Sequence, residues 1–199
     1  MIYVGIYFNM NNPFISYNYA ISHNLTPYSQ KLQEYWLAGD GVYARSHRPE
    51  LEICLQIAHT QIPGLAQIQP YFKLNVPKVP ASIIADIINA AQVNPHQEIL
   101  FYLGVENNIW WYHTPLQEAS PTHVRSLLTI SFKYSQALVE VHSHGCMKAT
   151  PSYQDNQEES GKFRIFAIIG TVNTTPTIYT RLGVYNHFFE IDPNFIFES

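Results

Sequence analysis

The sequence predicts an α+β fold with a mixed β-sheet flanked by helices. Residues 81–93 carry isoleucines three and four positions apart, which is the spacing of one apolar helix face. Short apolar segments separated by polar turns follow that helix, and the region before it is irregular and rich in strand patterns. Strands and helices grouped in this way are typical of α+β domains.

Composition excludes several classes of protein. The chain has 199 residues and a net charge of -4, with no cluster of lysine or arginine, so we expect no nucleic-acid partner. Two cysteines do not make a disulfide scaffold. The first residues lack a basic segment, and no apolar stretch approaches the roughly 20 residues that span a bilayer. We therefore expect a soluble cytoplasmic protein with no membrane partner.

Residues 1–72 form a β-rich N-terminal extension whose role the sequence does not reveal. Strand patterns cover residues 1–8, 41–45 and 51–58, the last with apolar residues at alternate positions. Residues 30–37 favour a short helix, ended by the glycines that follow.

Residues 73–199 form the second predicted domain. Pro80 stands where a helix tolerates proline, and Asn94–Pro95 ends the helix over 81–93. An Asn-Asn turn predicts a hairpin between two of the strands that follow. The predicted strands cover residues 98–104, 109–112, 137–142, 164–170 and 177–184.

Two histidines and an aspartate in the second domain indicate a metal site. His142 and His144 end an apolar strand, and residues two apart in a strand share a face, so both imidazoles can reach one point. Ser152 and Asp155 follow shortly after. Two ring nitrogens and one carboxylate suit zinc, and three protein ligands leave a fourth position open, as in catalytic sites. A lone His-x-His pair is more often two ordinary strand residues; the longer pattern favours the metal.

A metal hydrolase also needs a general base. Glu98 is the candidate, because it stands at the head of a buried strand where a carboxylate can face a cleft. Glu106 and Glu118, in turn-like segments, are its rivals. Glu140 shares a strand face with His142 and is a candidate supporting group around the metal.

The series His142, His144, Ser152 and Asp155 resembles the JAMM motif of the JAB/MPN metalloprotease family. The resemblance implies a cytidine-deaminase-like JAB/MPN fold. It also implies that His142, His144 and Asp155 bind Zn²⁺, that Glu98 activates water, and that Ser152 donates a hydrogen bond to the oxyanion of the reaction.

The resemblance covers residues 73–199 and has departures. The family usually has proline after the second histidine, where this chain has Gly145, and a small pair where it has Leu100–Phe101. The segment 181–188 and the N-terminal extension resemble a bacterial subgroup that includes protein A of the PRTRC genetic system.

The resemblance implies a zinc metallopeptidase of the isopeptidase or deubiquitinase-like type. Its expected substrate is the C-terminus of a ubiquitin-like or sulfur-carrier-like protein. Two alternatives stay open: a non-catalytic JAB/MPN scaffold within a complex, and a zinc hydrolase that releases an amino acid from a carrier protein. The oligomeric state and the choice between peptide and isopeptide bonds also stay open.

Overall fold

The computed structural model describes residues 14–128 and 131–199. The chain divides into two compact units between Asn75 and Val76. The strand predicted over residues 1–8 lies outside the described residues. Among the residues that are described, no helix is long and apolar enough to cross a membrane.

The first unit is a five-stranded sheet in which the strands lie in chain order. The pairing of β1 with β2 is parallel, and the other pairings are antiparallel. The strands are β1 (Ile15–Tyr19), β2 (Gln33–Ala38), β3 (Gly41–Arg48), β4 (Leu51–His59) and β5 (Tyr71–Leu74). The strands predicted over 41–45 and 51–58 are confirmed.

The helix predicted over residues 30–37 is wrong, because residues 33–38 form β2. Glu34 and Trp36 are buried on one face of the strand, in the alternating pattern of a sheet. The charge of Glu34 hides that pattern in the sequence. The carboxylate is tolerated inside because Arg45 Nη1 lies 3.0 Å from one of its oxygens and the Trp36 indole donates to the same oxygen.

The second unit contains a six-stranded mixed sheet in the order β13-β12-β11-β10-β6-β7. Its strands are β6 (Leu100–Glu106), β7 (Ile109–His113), β10 (Val139–Ser143), β11 (Lys162–Gly170), β12 (Thr177–Tyr185) and β13 (His187–Ile191). A separate hairpin pairs β8 (Gln117–Ser120) with β9 (His123–Ser126). The helices are α1 (Ala81–Val93), α2 (Phe132–Gln136) and α3 (Tyr153–Glu159), and a 3₁₀ turn covers Pro193–Phe195. The α+β prediction is confirmed.

The position of β10 in the sheet decides which residues lie next to the two histidines. Every residue of β10 is buried, and the strand is antiparallel to β6 and parallel to β11. Because β6 and β10 run in opposite directions, the end of β10 lies beside the start of β6, and His142 is paired with Leu100. Glu98, two residues before Leu100, is thereby brought to the end of the strand that carries the histidines.

The hairpin β8–β9 packs beside this end of the sheet and was not predicted from the sequence. The backbone N–H of Glu98 donates to the Ser120 carbonyl, and that of Leu100 donates to the Gln117 side chain. Val124 of β9 packs in a buried cluster with Leu100. The hairpin therefore fixes the segment on which Glu98 lies.

Gly104 of β6 lies in close contact with Trp111 of the neighbouring strand β7. Asn107 and Asn108, at φ 52° and 61°, make the predicted hairpin turn, and Trp111 is paired with Gly104. A Cβ at Gly104 would lie 2.1 Å from the Trp111 ring, and the Lys133 ammonium lies over the same ring, 3.9 Å from its centre. The indole fits only because residue 104 has no side chain.

We therefore expect Gly104→Ala to lower the free energy of unfolding by about 1–3 kcal/mol, the range of an overpacked core. The loss should shrink when Trp111→Leu is present as well, because the smaller side chain leaves room for the methyl group. Denaturant unfolding of the two single variants and the double variant measures this coupling. Equal losses in both backgrounds would show that the indole is not the obstacle.

Candidate metal centre

Two imidazoles meet at the end of β10. The Nε2 atoms of His142 and His144 lie 3.0 Å apart, and both side chains are largely buried. Between them, the Ser143 hydroxyl turns to the other side and accepts a hydrogen bond from the Ile99 backbone. The two imidazoles therefore reach one point, as their spacing predicts, although β10 itself ends at Ser143.

Asp155 lies opposite the two rings. Its Oδ1 is 3.3 Å from His142 Nε2 and its Oδ2 is 3.5 Å from His144 Nε2. The carboxylate is held there by a capping box at the start of α3. In this box Ser152 Oγ accepts from the Asp155 backbone N–H, and Asp155 Oδ2 accepts from the Ser152 backbone N–H at 2.6 Å. The capping box orients Asp155 through Oδ2, and Oδ1 faces His142.

The separations among these three side chains fit a tetrahedral zinc ion. Zinc bonds of about 2.0–2.2 Å to nitrogen and oxygen place neighbouring ligand atoms about 3.3–3.5 Å apart. The two nitrogens lie 3.0 Å apart, and the carboxylate approaches His142 Nε2 to 3.3 Å with Oδ1 and His144 Nε2 to 3.5 Å with Oδ2, so the three side chains surround one point at about this spacing. Unprotonated nitrogens and a carboxylate repel one another at such distances unless a cation or a proton lies between them. His142, His144 and Asp155 are thus a suitable ligand set for zinc.

The protonation of these groups differs between the metal-free and the metal-bound site. With Nε2–H protons on the rings, the effect of burial is outweighed by hydrogen bonds from His142 and His144, which hold the pKa of the Asp155 carboxyl far below its usual range, so this group is ionised. His144 Nδ1 lies 3.2 Å from the Lys148 carbonyl, which can only accept. The proton of a neutral His144 is therefore on Nδ1, and Nε2 keeps its lone pair for a metal.

Glu98 faces the same point. One carboxylate oxygen of Glu98 and one ring nitrogen of each histidine all lie within 4.8 Å of one another. Glu98 is therefore an alternative third ligand, but Asp155 lies closer to both nitrogens. Glu98 is only 5% exposed, and burial raises the pKa of its carboxyl to about 7, with His144 opposing the shift and Asp155 adding to it. A carboxyl group with such a pKa can accept and return a proton near neutral pH.

The rival glutamates lie elsewhere. Glu106 is exposed at the far end of β6, and Glu118 is paired with Arg125 in the β8–β9 hairpin. Glu140 does share the cavity with His142, as its place on the strand face predicts. Its carboxylate is bound by Lys162 at 3.1 Å and Arg164 at 3.0 Å, so it does not compete for the metal.

A cavity of about 20 Å³ adjoins the donor atoms, enough for roughly one water molecule. Glu98, His142 and Asp155 line it, and Thr122, His123 and Val124 of the hairpin close it. His123 Nδ1 lies 3.3 Å from Glu158 of α3, which joins the hairpin to that helix. Sequence reasoning missed His123 and Glu158, because they meet only through tertiary packing and have no recognisable spacing.

Gly145 explains one departure from the JAMM pattern. Its φ is +56°, which proline cannot adopt, and a Cβ there would lie 2.2 Å from the Pro95 carbonyl oxygen. The same carbonyl accepts a hydrogen bond from the Cys146 backbone N–H at 3.1 Å. The histidine loop and the segment leading to Glu98 are therefore in direct backbone contact, which a larger residue would prevent.

Gly170, the last residue of β11, allows a second close contact with this loop. A Cβ at Gly170 would lie 2.2 Å from the Ala149 backbone nitrogen and 2.6 Å from the Lys148 carbonyl carbon. The Thr171 backbone N–H also donates to the Met147 carbonyl at 2.7 Å. The carbonyl that orients His144 is held in place by this packing.

The sequence model of a family described as prokaryotic homologs of the JAB domain matches residues 81–182, just over half of the chain. The chain belongs to this JAB family. A comparison with curated proteins finds none that matches. The resemblance to the narrower PRTRC protein A subgroup stays a prediction.

For a chain of the JAB family with this geometry, we expect one zinc ion per chain. His142→Ala should lose stoichiometric zinc, because the other two donors then lack the second nitrogen. The exposed His113 lies at the end of β7, and His113→Ala is the matched control, which should keep the metal. Metal analysis after dialysis against a weak chelator measures the difference. Equal zinc in both variants would place the metal elsewhere.

Gly170→Ala should weaken zinc binding about 10–100-fold, the usual effect of losing a group that orients a ligand. The added methyl group would displace the Lys148 carbonyl from His144 Nδ1. Competition with a chromogenic chelator measures the affinity.

Gly161→Ala is the control for general destabilisation. It puts alanine at a φ of +77°, where the Cβ meets nothing within 4 Å, so it should cost stability and leave zinc affinity unchanged. If both variants bind zinc as the wild type does, the contact at Gly170 does not orient the ligand.

Proposed function

We propose that this chain is a zinc-dependent peptidase or isopeptidase of the JAMM type. The observation that carries the proposal is the convergence of His142, His144 and Asp155 on one point beside the buried carboxyl group of Glu98. A non-catalytic metal site does not need a buried base at this distance. Hydrolysis of an amide bond by this mechanism needs the metal ion and the general base side by side.

The proposed division of labour follows from these positions. His142, His144 and Asp155 would hold a zinc ion, which when bound would supply Lewis acidity to a carbonyl and to water. Glu98 takes the proton of the attacking water and returns it to the leaving amine. Ser152 Oγ already accepts from the Asp155 backbone N–H, so its own hydrogen is available to the developing oxyanion.

We propose a ubiquitin-like or sulfur-carrier-like protein, cut near its C-terminus, as the substrate. The support is the resemblance of the motif to the JAB/MPN metalloproteases and membership of the prokaryotic JAB family. The net charge of -4 favours a protein over a nucleic acid as the partner. Cytoplasmic location is part of the same proposal.

A non-catalytic scaffold is the second candidate. The observation in its favour is the small volume of the cavity beside the donor atoms, about 20 Å³, which residues of the hairpin line on one side. On this view zinc, if bound, stabilises the fold only. A zinc hydrolase that releases one amino acid from a carrier protein is a variant of the first proposal and differs from it only in the product.

Glu98→Gln separates the catalytic proposal from the scaffold. It removes the base but keeps the size of the side chain, so zinc content should stay and hydrolysis should fall at least about 100-fold. Glu106→Gln, at the exposed end of β6, is the matched control and should keep full activity. The assay is cleavage of a ubiquitin-like protein fused through its C-terminus to a reporter, followed by mass analysis of the products.

Two outcomes would count against the catalytic proposal. One is hydrolysis by Glu98→Gln at the wild-type rate, which would remove Glu98 as the base. The other is a zinc-loaded wild-type protein that cuts neither this fusion nor any member of a peptide library, which would favour the scaffold. The product masses also tell release of a single amino acid from cleavage of a larger partner.

A further inference from the structure

A second cavity opens beside the metal centre. Its volume is about 490 Å³, within the range of ligand pockets. Leu100, Tyr102, Leu127 and Tyr134 supply its apolar surface. The rings of Tyr102 and Tyr134 pack edge to face with their centres 5.5 Å apart, and they form a rigid aromatic wall.

The second cavity adjoins the metal centre. Leu100, Glu140 and Glu158 line both it and the smaller cavity next to His142. Glu140 and His142 point to the same face of β10, two residues apart. A chain whose amide bond lies at the donor atoms can therefore put a neighbouring side chain into the second cavity.

The charged groups that line the second cavity are already paired. Lys162 Nζ lies 3.1 Å from Glu140, and Arg125 donates to Glu118 at 2.6 Å. Glu158 lies 3.3 Å from His123. A charged ligand would have to break one of these pairs, so the lining favours an uncharged apolar group.

We propose that the second cavity binds a large uncharged side chain, such as leucine or phenylalanine, on a substrate residue close to the bond that is cut. This inference rests on the proposed peptidase function. Leu127 is the residue that tests it, because its side chain is 52% exposed at the cavity and contributes apolar surface at the opening.

The first measurement is hydrolysis by the zinc-loaded protein of quenched fluorescent peptides that differ only in the residues flanking the cut bond. Leucine or phenylalanine on one side should raise kcat/KM about 10-fold or more over glycine or aspartate, the usual discrimination of an apolar pocket. Leu127→Asp should reduce that preference to less than about two-fold and leave zinc content unchanged. Leu116→Asp alters another exposed leucine that does not line the cavity, and it should keep the preference.

The second measurement is independent of catalysis. N-acetyl-phenylalanine amide should shift the NMR signals of the Leu127 methyl groups and the Tyr134 ring, in the zinc-loaded wild type and in His142→Ala alike. N-acetyl-aspartate amide should not shift them. Binding of the phenylalanine amide without hydrolysis of any peptide would count against the peptidase function alone. Failure of the phenylalanine amide to shift these signals, or cleavage with no preference at either flanking position, would overturn the inference.

Discussion

The mutual approach of three side chains that can all accept a proton or a metal is the constraint on which the rest of this unit depends. Two imidazole nitrogens 3.0 Å apart and a carboxylate within 3.5 Å of both repel one another unless ring protons or a cation lie between them. The Lys148 carbonyl and the capping box of α3 fix two of the three groups from outside. A divalent cation satisfies all three at once, whereas a proton satisfies only one contact at a time.

Backbone packing, more than the ligands themselves, brings this arrangement about. β10 is an inner strand of the sheet, and its end lies beside the start of β6, next to Glu98. Two glycines allow neighbouring segments to contact the loop that follows the histidines. Gly145 touches the segment before Glu98, and Gly170 touches the loop that presents the Lys148 carbonyl. Glu98, the two histidines and Asp155 therefore hold their spacing through a few backbone contacts, and the β8–β9 hairpin completes the enclosure.

Much of this could be predicted from local sequence. The helix over 81–93 has a clear apolar periodicity, the histidine strand is a continuous apolar segment, and the family resemblance supplied the separate roles of Ser152 and Asp155. The same two residues are also a helix capping box, a local signal for the start of α3 that the sequence analysis did not use. Glu34 misled the prediction of β2, because a buried charge at an inward position breaks the alternation of a strand. The hairpin over the site and the pairing of His123 with Glu158 depend on tertiary contacts, which no spacing along the chain encodes.

The most direct test of a zinc centre with these three ligands is X-ray absorption at the zinc edge of the metal-loaded 199-residue chain. Two imidazole nitrogens and carboxylate or water oxygens should appear at about 2.0–2.2 Å, in four-coordinate geometry and without sulfur. A scatterer at about 2.3 Å, the distance of zinc to thiolate, would point instead to Cys146, two residues beyond His144. A spectrum with sulfur or without imidazole would contradict the assignment of His142, His144 and Asp155.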